Sequence, residues 1–290
     1  MIIGITGGTG FIGNQVRHAA ESRGDKVVLF SRRKGKDRRL FSLTQPLDVS
    51  GCNGLVHLAG ESIIGLWTRE KRRRIMESRI EGTKRLVEGI AASPVRPRCL
   101  VSASAIGFYG DTGNKIADEE TPAGKGFLSE VAQAWEAEAM KAETLGVRVV
   151  RLRIGFVLGR DGGAMQLIKP VFQAALGGRL GSGHQWMSCI DVVDLASVVM
   201  DCLHDDSIEG AVNAVMPEPV TNAEFTRIAA HSAHRPALFP APTFALRLIL
   251  GDLSHLLLDS QRIVPKKLMH LGFPYRFGSV ESSLGEIFRS

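Results

Sequence analysis

Tyrosine and cysteine are scarce, with two and four in 290 residues. Cys52, Cys99, Cys189 and Cys202 form no C-x-x-C pair and stand in apolar or β-like surroundings. That predicts buried, reduced thiols and excludes a disulfide framework or a cysteine metal site. Long apolar runs are absent as well. The most apolar late stretch, "FALRLILGDLSHLLL", is interrupted by Arg247, Asp252 and His255, whereas a membrane span needs about 20 apolar residues. No basic leader with an apolar follow-on opens the chain, so the expected address is cytoplasmic, with no membrane partner. There is no internal repeat and no low-complexity tract. The excess of 36 Lys+Arg over 30 Asp+Glu is too mild to choose between a small anionic ligand and nucleic acid.

What is present is enough apolar content, 44%, for a sizeable core, ordered as alternating strand and helix patterns. "IIGIT", "KVVLFS", "GLVHLAG" and "CLVSASA" read as short buried strands. "FIGNQVRHAAESRG" has helical spacing, and Met76, Ile80, Thr83, Val87 and Ile90 draw an apolar stripe along another helix. "FLSEVAQAWEAEAMKAETLG" predicts a third helix and "VRVVRLRIGFVLG" one long strand. Repeated βα units predict an α/β fold, a Rossmann-like doubly wound parallel sheet with right-handed crossovers, over residues 1–160. Beyond Gly159 glycines and prolines break the pattern, which predicts a smaller C-terminal α+β lobe over 161–290, with part of 180–215 packing back on the first domain. In "TNAEF", Thr221 and Glu224 form a capping-box pattern that starts a helix near 222. Asp191 or Asp194 is the expected cap of "DLASVVMDCL".

"TGGTGFIG" follows the first strand and opens the first helix, with glycines at 7, 10 and 13. Gly7 allows a tight turn, Gly10 lets backbone approach a pyrophosphate, and Gly13 permits close helix packing, so the motif predicts dinucleotide binding. An NAD site commonly ends its second strand on a carboxylate. Here the strand ends on Ser31 and Arg32, followed by Arg33, Lys34 and Lys36, a donor-rich setting suited to the 2′-phosphate of NADP(H).

With "LAGE", "SRIEGT", "SASAIGFYG", "GGAM", "GSGHQ" and the final "VPKKLMHLGFPYRFGS", the chain resembles the atypical extended short-chain dehydrogenase/reductases called epimerase family proteins, grouped with nucleoside-diphosphate-sugar epimerases. The likeness runs from the first strand almost to the last residue. It implies that Thr9, Gly10, Phe11 and Ile12 surround the pyrophosphate and that Ser31 and Arg32 meet the 2′-phosphate. It places Leu58 and Ala59 beside the adenosine ribose, Arg79 in the cofactor cleft, Val157 at the nicotinamide end, and Ser104 as the catalytic hydroxyl for a substrate carbonyl. Lys71, Arg72 and Arg73 read instead as a solvated helix face. The superfamily's usual Tyr-x-x-x-Lys pair has Phe127 and Val131 in its place. Tyr109 and Lys125 stand nearby, and His184 and Gln185 are candidate substrate contacts.

Three functions follow, in order of preference. The first is an NADP(H)-dependent oxidoreductase or epimerase-like enzyme acting on a small molecule such as a sugar nucleotide. The second is a non-catalytic NADP(H)-sensing module that acts through a protein partner. The third, nucleic-acid binding, rests on charge alone and is set aside. Oligomeric state is not legible.

Overall fold

The computed structural model describes residues 1–289 apart from 33, 34, 36 and 37. The expected role of Arg33, Lys34 and Lys36 lies outside the described residues. The first half runs β1 (Ile2–Thr6), α1 (Phe11–Ser22), β2 (Lys26–Ser31), β3 (Arg38–Leu40), β4 (Gly54–His57), α2 (Arg69–Ala92), β5 (Cys99–Ala105), α3 (Phe127–Met140), β6 (Arg148–Ile154) and β7 (Phe156–Leu158). The second half runs α4 (Met165–Gln173), β8 (Trp186–Met187), β9 (Cys189–Asp191), α5 (Val192–His204), β10 (Gly210–Ala214), β11 (Val220–Thr221) and α6 (Asn222–Ser232). It ends with α7 (Thr243–Leu250), α8 (His255–Leu258), α9 (Lys266–His270) and α10 (Val280–Phe288).

Seven parallel strands form the central sheet in the order β10-β6-β5-β4-β1-β2-β3. Side chains alternate between its two faces, so neighbours in one strand feed different cores. Val56, Val101 and Val150 join the layer under α1 and α5, while Leu55, Leu100 and Val149 join the layer under α2 and α3. Burial on both faces explains why these strands read as continuous apolar runs. On α2 the buried face is Ile75, Gly82, Thr83, Leu86, Val87 and Ile90, so Met76 and Ile80 of the expected stripe stand at its margin, only partly buried.

The expected long strand after Gly146 is two strands. At Gly155 the chain leaves the sheet: β6 pairs with β5 and β10, whereas β7 pairs with β9. A side chain at 155 would have its Cβ 2.6 Å from the Ser188 carbonyl oxygen, so only glycine fits the step. β3, inside the basic stretch, is an edge strand that the sequence pattern did not show.

β7, α4, α6 and α10 gather around a third apolar cluster that includes Leu158, Met165, Phe172, Phe225, Leu284 and Ile287, whereas Leu268 of α9 joins the main core. Asp191 caps α5 by accepting from the Val193 N–H at 2.8 Å. Asp194 instead accepts the backbone N–H groups of Arg276 and Phe277, each at 2.8 Å, and so ties down the chain ahead of α10. Thr221 caps α6 through the Glu224 N–H at 3.2 Å, and the Glu224 side chain makes no return bond among the described residues. The four cysteines are free and buried. Among the described residues no helix is long and apolar enough to cross a membrane, and no cluster of His, Cys, Asp or Glu could hold a metal ion.

Candidate functional site

The carboxyl ends of β1, β2 and β4 lie side by side, with Thr6 paired to Phe30 and to His57. This is where strand order reverses, the place at which open α/β sheets leave a crevice. The turn from β1 into α1 is built of backbone at close quarters. Gly7 has φ +70°, and a Cβ there would come within 2.9 Å of the Leu58 backbone. A Cβ on Gly13 would lie 2.3 Å from the Gly7 carbonyl oxygen, so the helix can start this close to the strand only with glycine. Gly10 is the helix N-cap and supplies no side chain, and no acidic residue occupies the first turn. The N–H groups of Phe11, Ile12 and Gly13 therefore have no acceptor upstream among the described residues, an arrangement able to receive an anion. Thr9 and Gly10 are exposed beside them, whereas Ile12 packs on the core. The Phe11 ring lies against Gly159 and Gly162, whose added Cβ atoms would fall 2.5 and 2.1 Å from it. The turn borders an open cavity of about 820 Å³ also lined by Arg17, Arg38, Arg160 and Arg276.

Leu58 and Ala59 are held by a buried chain of hydrogen bonds. Thr83 Oγ1 donates to the Arg79 carbonyl at 2.6 Å, so the His57 Nε2–H donates to Thr83 at 3.1 Å. His57 Nδ1 then accepts from Thr6 Oγ1 at 2.7 Å, and Thr6 in turn accepts from the N–H groups of Leu58 and Ala59, each at 3.2 Å. Burial drops the His57 pKa from 6.5 to about 4, so the ring is neutral and this one tautomer satisfies every partner.

Arg79 reaches the same loop. Its guanidinium donates to the carbonyls of Glu61 and Ile75, both at 3.1 Å, stacks 5.0 Å over the Trp135 ring and lies beside Gly60. Burial lowers its pKa to about 10, so it stays a cation at neutral pH, and it has no carboxylate partner within salt-bridge distance among the described residues. Ser31 closes β2 half-buried and Arg32 follows it, exposed. The Lys71 hydrogen bond, at 2.7 Å, holds the Glu61 carboxyl below its usual range, and the Arg32 charge adds to that effect. Lys71 is thus no part of a solvated face, its side chain being only 12% exposed. Arg73, paired with Glu70 and Glu77 in the open, does belong to one.

A model of the NAD dependent epimerase/dehydratase family matches residues 3–214. This chain belongs to that family. A second model, for a domain of unknown function (DUF1731), matches residues 241–287. The chain is 36% identical to "Epimerase family protein SDR39U1 homolog, chloroplastic" of Arabidopsis thaliana, over 100% of this chain and 87% of the relative. The crystal structure of human epimerase family protein SDR39U1 with NADPH superposes with a TM-score of 0.93 at 32% identity, covering 99% of each chain. The UDP-glucose 4-epimerase of Thermus thermophilus, solved with NAD, has a TM-score of 0.75 at 19% identity over 99% of each chain, a likeness of fold alone. The Rossmann-like doubly wound architecture is that of the epimerase family.

Phe127 and Val131, the residues expected in place of the Tyr-x-x-x-Lys pair, are both engaged in packing. Phe127 opens α3 packed between Trp67, at 5.4 Å between ring centroids, and the Arg72 guanidinium, 4.9 Å above the ring; Val131 is buried. Lys125 is exposed on its turn. Ser104, the expected catalytic hydroxyl, lies on the inner side of its strand. Strand alternation turns Ser104 toward α3, where it is 3% exposed and its hydroxyl donates to Glu136 Oε1 at 2.7 Å, while Ala105 faces outward. Glu136 also takes a two-pronged bond from Arg153, at 2.8 and 2.9 Å. Arg153 donates to the Tyr109 hydroxyl at 2.9 Å, and that hydroxyl donates to Asn213 at 2.7 Å. Burial raises the Tyr109 pKa to about 12, so it holds its proton. This network locks β5, α3, β6 and β10 together and was missed in the sequence. Its signals were an acid on the apolar face of α3 and an arginine inside "RVVRLRI". Gln185 donates to the carbonyls of Leu180 and Leu257 and so braces loops, and His184 is exposed. Val157 sits on β7 packed against the core.

Proposed function

We propose that this chain binds NADP(H) across the carboxyl edge of its sheet and is an NADP(H)-dependent oxidoreductase or epimerase-like enzyme for a small molecule. The observation that carries the reading is the pairing of a capless, acid-free α1 N-terminus with a second strand that ends on Ser31 and Arg32 instead of a carboxylate. The glycine turn fits the cofactor, because a Cβ at Gly7 or Gly13 would strike the Leu58 or Gly7 backbone and force the turn open. The unclaimed first-turn N–H groups would hold the pyrophosphate, with Thr9 to Ile12 around it, and Ser31 and Arg32 would meet the 2′-phosphate. Leu58 and Ala59, fixed by Thr6 and His57, would line the ribose side, Arg79 would supply a half-buried positive charge, and Val157 would lie by the nicotinamide. When bound, that ring supplies hydride chemistry. The expected cytoplasmic address belongs to the same proposal.

Phe127 and Val131 cannot move a proton, Tyr109 holds its own, and Ser104 serves to position β5 against α3. A reaction here exchanges its proton with water or within the substrate. The engagement of all these groups also favours a second reading, a non-catalytic NADP(H) sensor that acts through a protein partner. Both readings need the phosphate contact. Arg32→Glu is expected to weaken NADPH binding at least tenfold by calorimetric titration and to leave NADH binding nearly unchanged. Equal losses for the two dinucleotides would reject the assignment. Turnover of NADPH with any carbonyl compound would then separate enzyme from sensor.

A further inference from the structure

A second cavity, of about 310 Å³, lies beyond the carboxyl ends of β5 and β6, between Ile106, just past β5, and Phe156, the first residue of β7. Its volume is at the lower end of the roughly 300–1,000 Å³ usual for small-molecule sites. Phe172, Leu180, Trp186, Phe225 and Leu257 line its walls, and among the described residues no lysine, arginine or histidine does. The one carboxylate among the described lining residues, Asp259, is engaged with His255 at 2.9 Å. Asn222 is held at both ends, by the Leu180 N–H and by Met187 Sδ. Gln261 differs: it lines the cavity half-buried, and its side-chain amide makes no hydrogen bond among the described residues. The mouth is apolar too. Leu167, Val171, Leu176 and Phe239 are 62%, 43%, 59% and 60% exposed while lining it.

Such a lining is wrong for a nucleoside diphosphate, whose charges would enter an apolar space that offers a carboxylate and no cation. It suits a ligand that gives up water along its whole length and keeps one polar end. We infer that this cavity is the substrate pocket and that it takes an apolar molecule, an aliphatic or aromatic body ending in a single carbonyl or hydroxyl oxygen, which the Gln261 amide contacts. The inference rests on the proposed dinucleotide site only for the word substrate; the ligand class follows from the cavity itself.

The test uses the full chain, titrated with 1-decanol, decane and UDP-glucose while tryptophan fluorescence is followed. A Trp186→Phe protein identifies the signal that comes from the cavity. NADPH is titrated separately into the same preparations. Saturable 1-decanol binding is expected, with UDP-glucose giving no change. Val171→Glu should weaken 1-decanol at least tenfold, and Leu176→Glu, at a still more exposed position, provides the same test if the first variant melts early. Gln261→Leu should weaken 1-decanol several-fold and leave decane unchanged. NADPH affinity should be the same in all three variants. UDP-glucose binding in place of 1-decanol, or unchanged 1-decanol affinity in both charged variants, overturns the inference. Decanol binding without NADPH binding would remove the dinucleotide reading and leave the pocket's ligand class standing; the opposite pattern would do the reverse.

Discussion

His57 shows how one side chain sets a loop. It sits in "GLVHLAG", where the sequence reads only as the end of a strand, yet its ring fixes the hydroxyl that holds the Leu58 and Ala59 N–H groups. Its pKa in the fold, about 4, is below the ordinary 6.5, so the folded state binds fewer protons and stability falls as acid is added. The contribution is complete above pH 6.5 and is lost on going down toward pH 4, and its size is on the order of 3 kcal/mol. His57→Gln should therefore flatten the stability loss between pH 6.5 and 4.5 in urea titrations; parallel slopes for the two proteins would contradict this. At this scale the glycines at 7 and 13 were legible, because a turn that needs positive φ, or a packing in which a Cβ would fall 2.3 Å from a carbonyl oxygen, admits nothing else. Ser104 was not. A serine at a strand end looks the same whether its hydroxyl faces a cleft or a buried glutamate, and its partner, Glu136, is 32 residues away.

Secondary-structure elements were legible wherever burial follows a period. β1, β2, β4, β5 and the helices α1 to α3 match the apolar patterns that the chain displays. The break at Gly155 was not, since "RIGFVL" is apolar on both sides of it and only the distant Ser188 carbonyl forbids a side chain. A similar blind spot covers α5. An aspartate in the first turn of a helix reads as a cap, and Asp191 is one, but Asp194 anchors another segment through two N–H bonds. Removing its carboxylate would leave the Arg276 and Phe277 N–H groups without acceptors. Asp194→Ala is therefore expected to cost about 2–4 kcal/mol in chemical denaturation and to loosen residues 276–288 first, as amide hydrogen exchange would register. Asp191→Ala, which removes an N-cap and a 2.6 Å bond from Ser283, should act on α5 and α10 together.

In the whole molecule, the C-terminal segment is not an appendage. Leu268, Phe273 and Tyr275 pack on the main core, and the Tyr275 hydroxyl donates to the Val215 carbonyl at 2.8 Å, so the stretch 268–275 closes against the sheet that the first 160 residues begin. Sequence periodicity foresaw the sheet and could not foresee this return, which depends on single contacts between distant positions. The four thiols are distributed over the same body: Cys52 ahead of β4, Cys99 in β5, Cys189 in β9 and Cys202 in α5. Burial raises the pKa of Cys99 to about 11 and of Cys189 to about 12, and it pushes Cys202 higher still. A thiol that is neither ionised nor accessible does not react, so an alkylating reagent can modify these positions only while the fold is open around them. The protein thus carries four internal stopwatches in three regions: Cys99 and Cys202 side by side in the main core, Cys52 in the layer on the other face of the sheet and Cys189 in the third cluster. Their alkylation rates, read by mass spectrometry, would rank the order in which sheet, helix layer and lobe come apart, and a ligand that closes the crevice would slow the hand nearest to it.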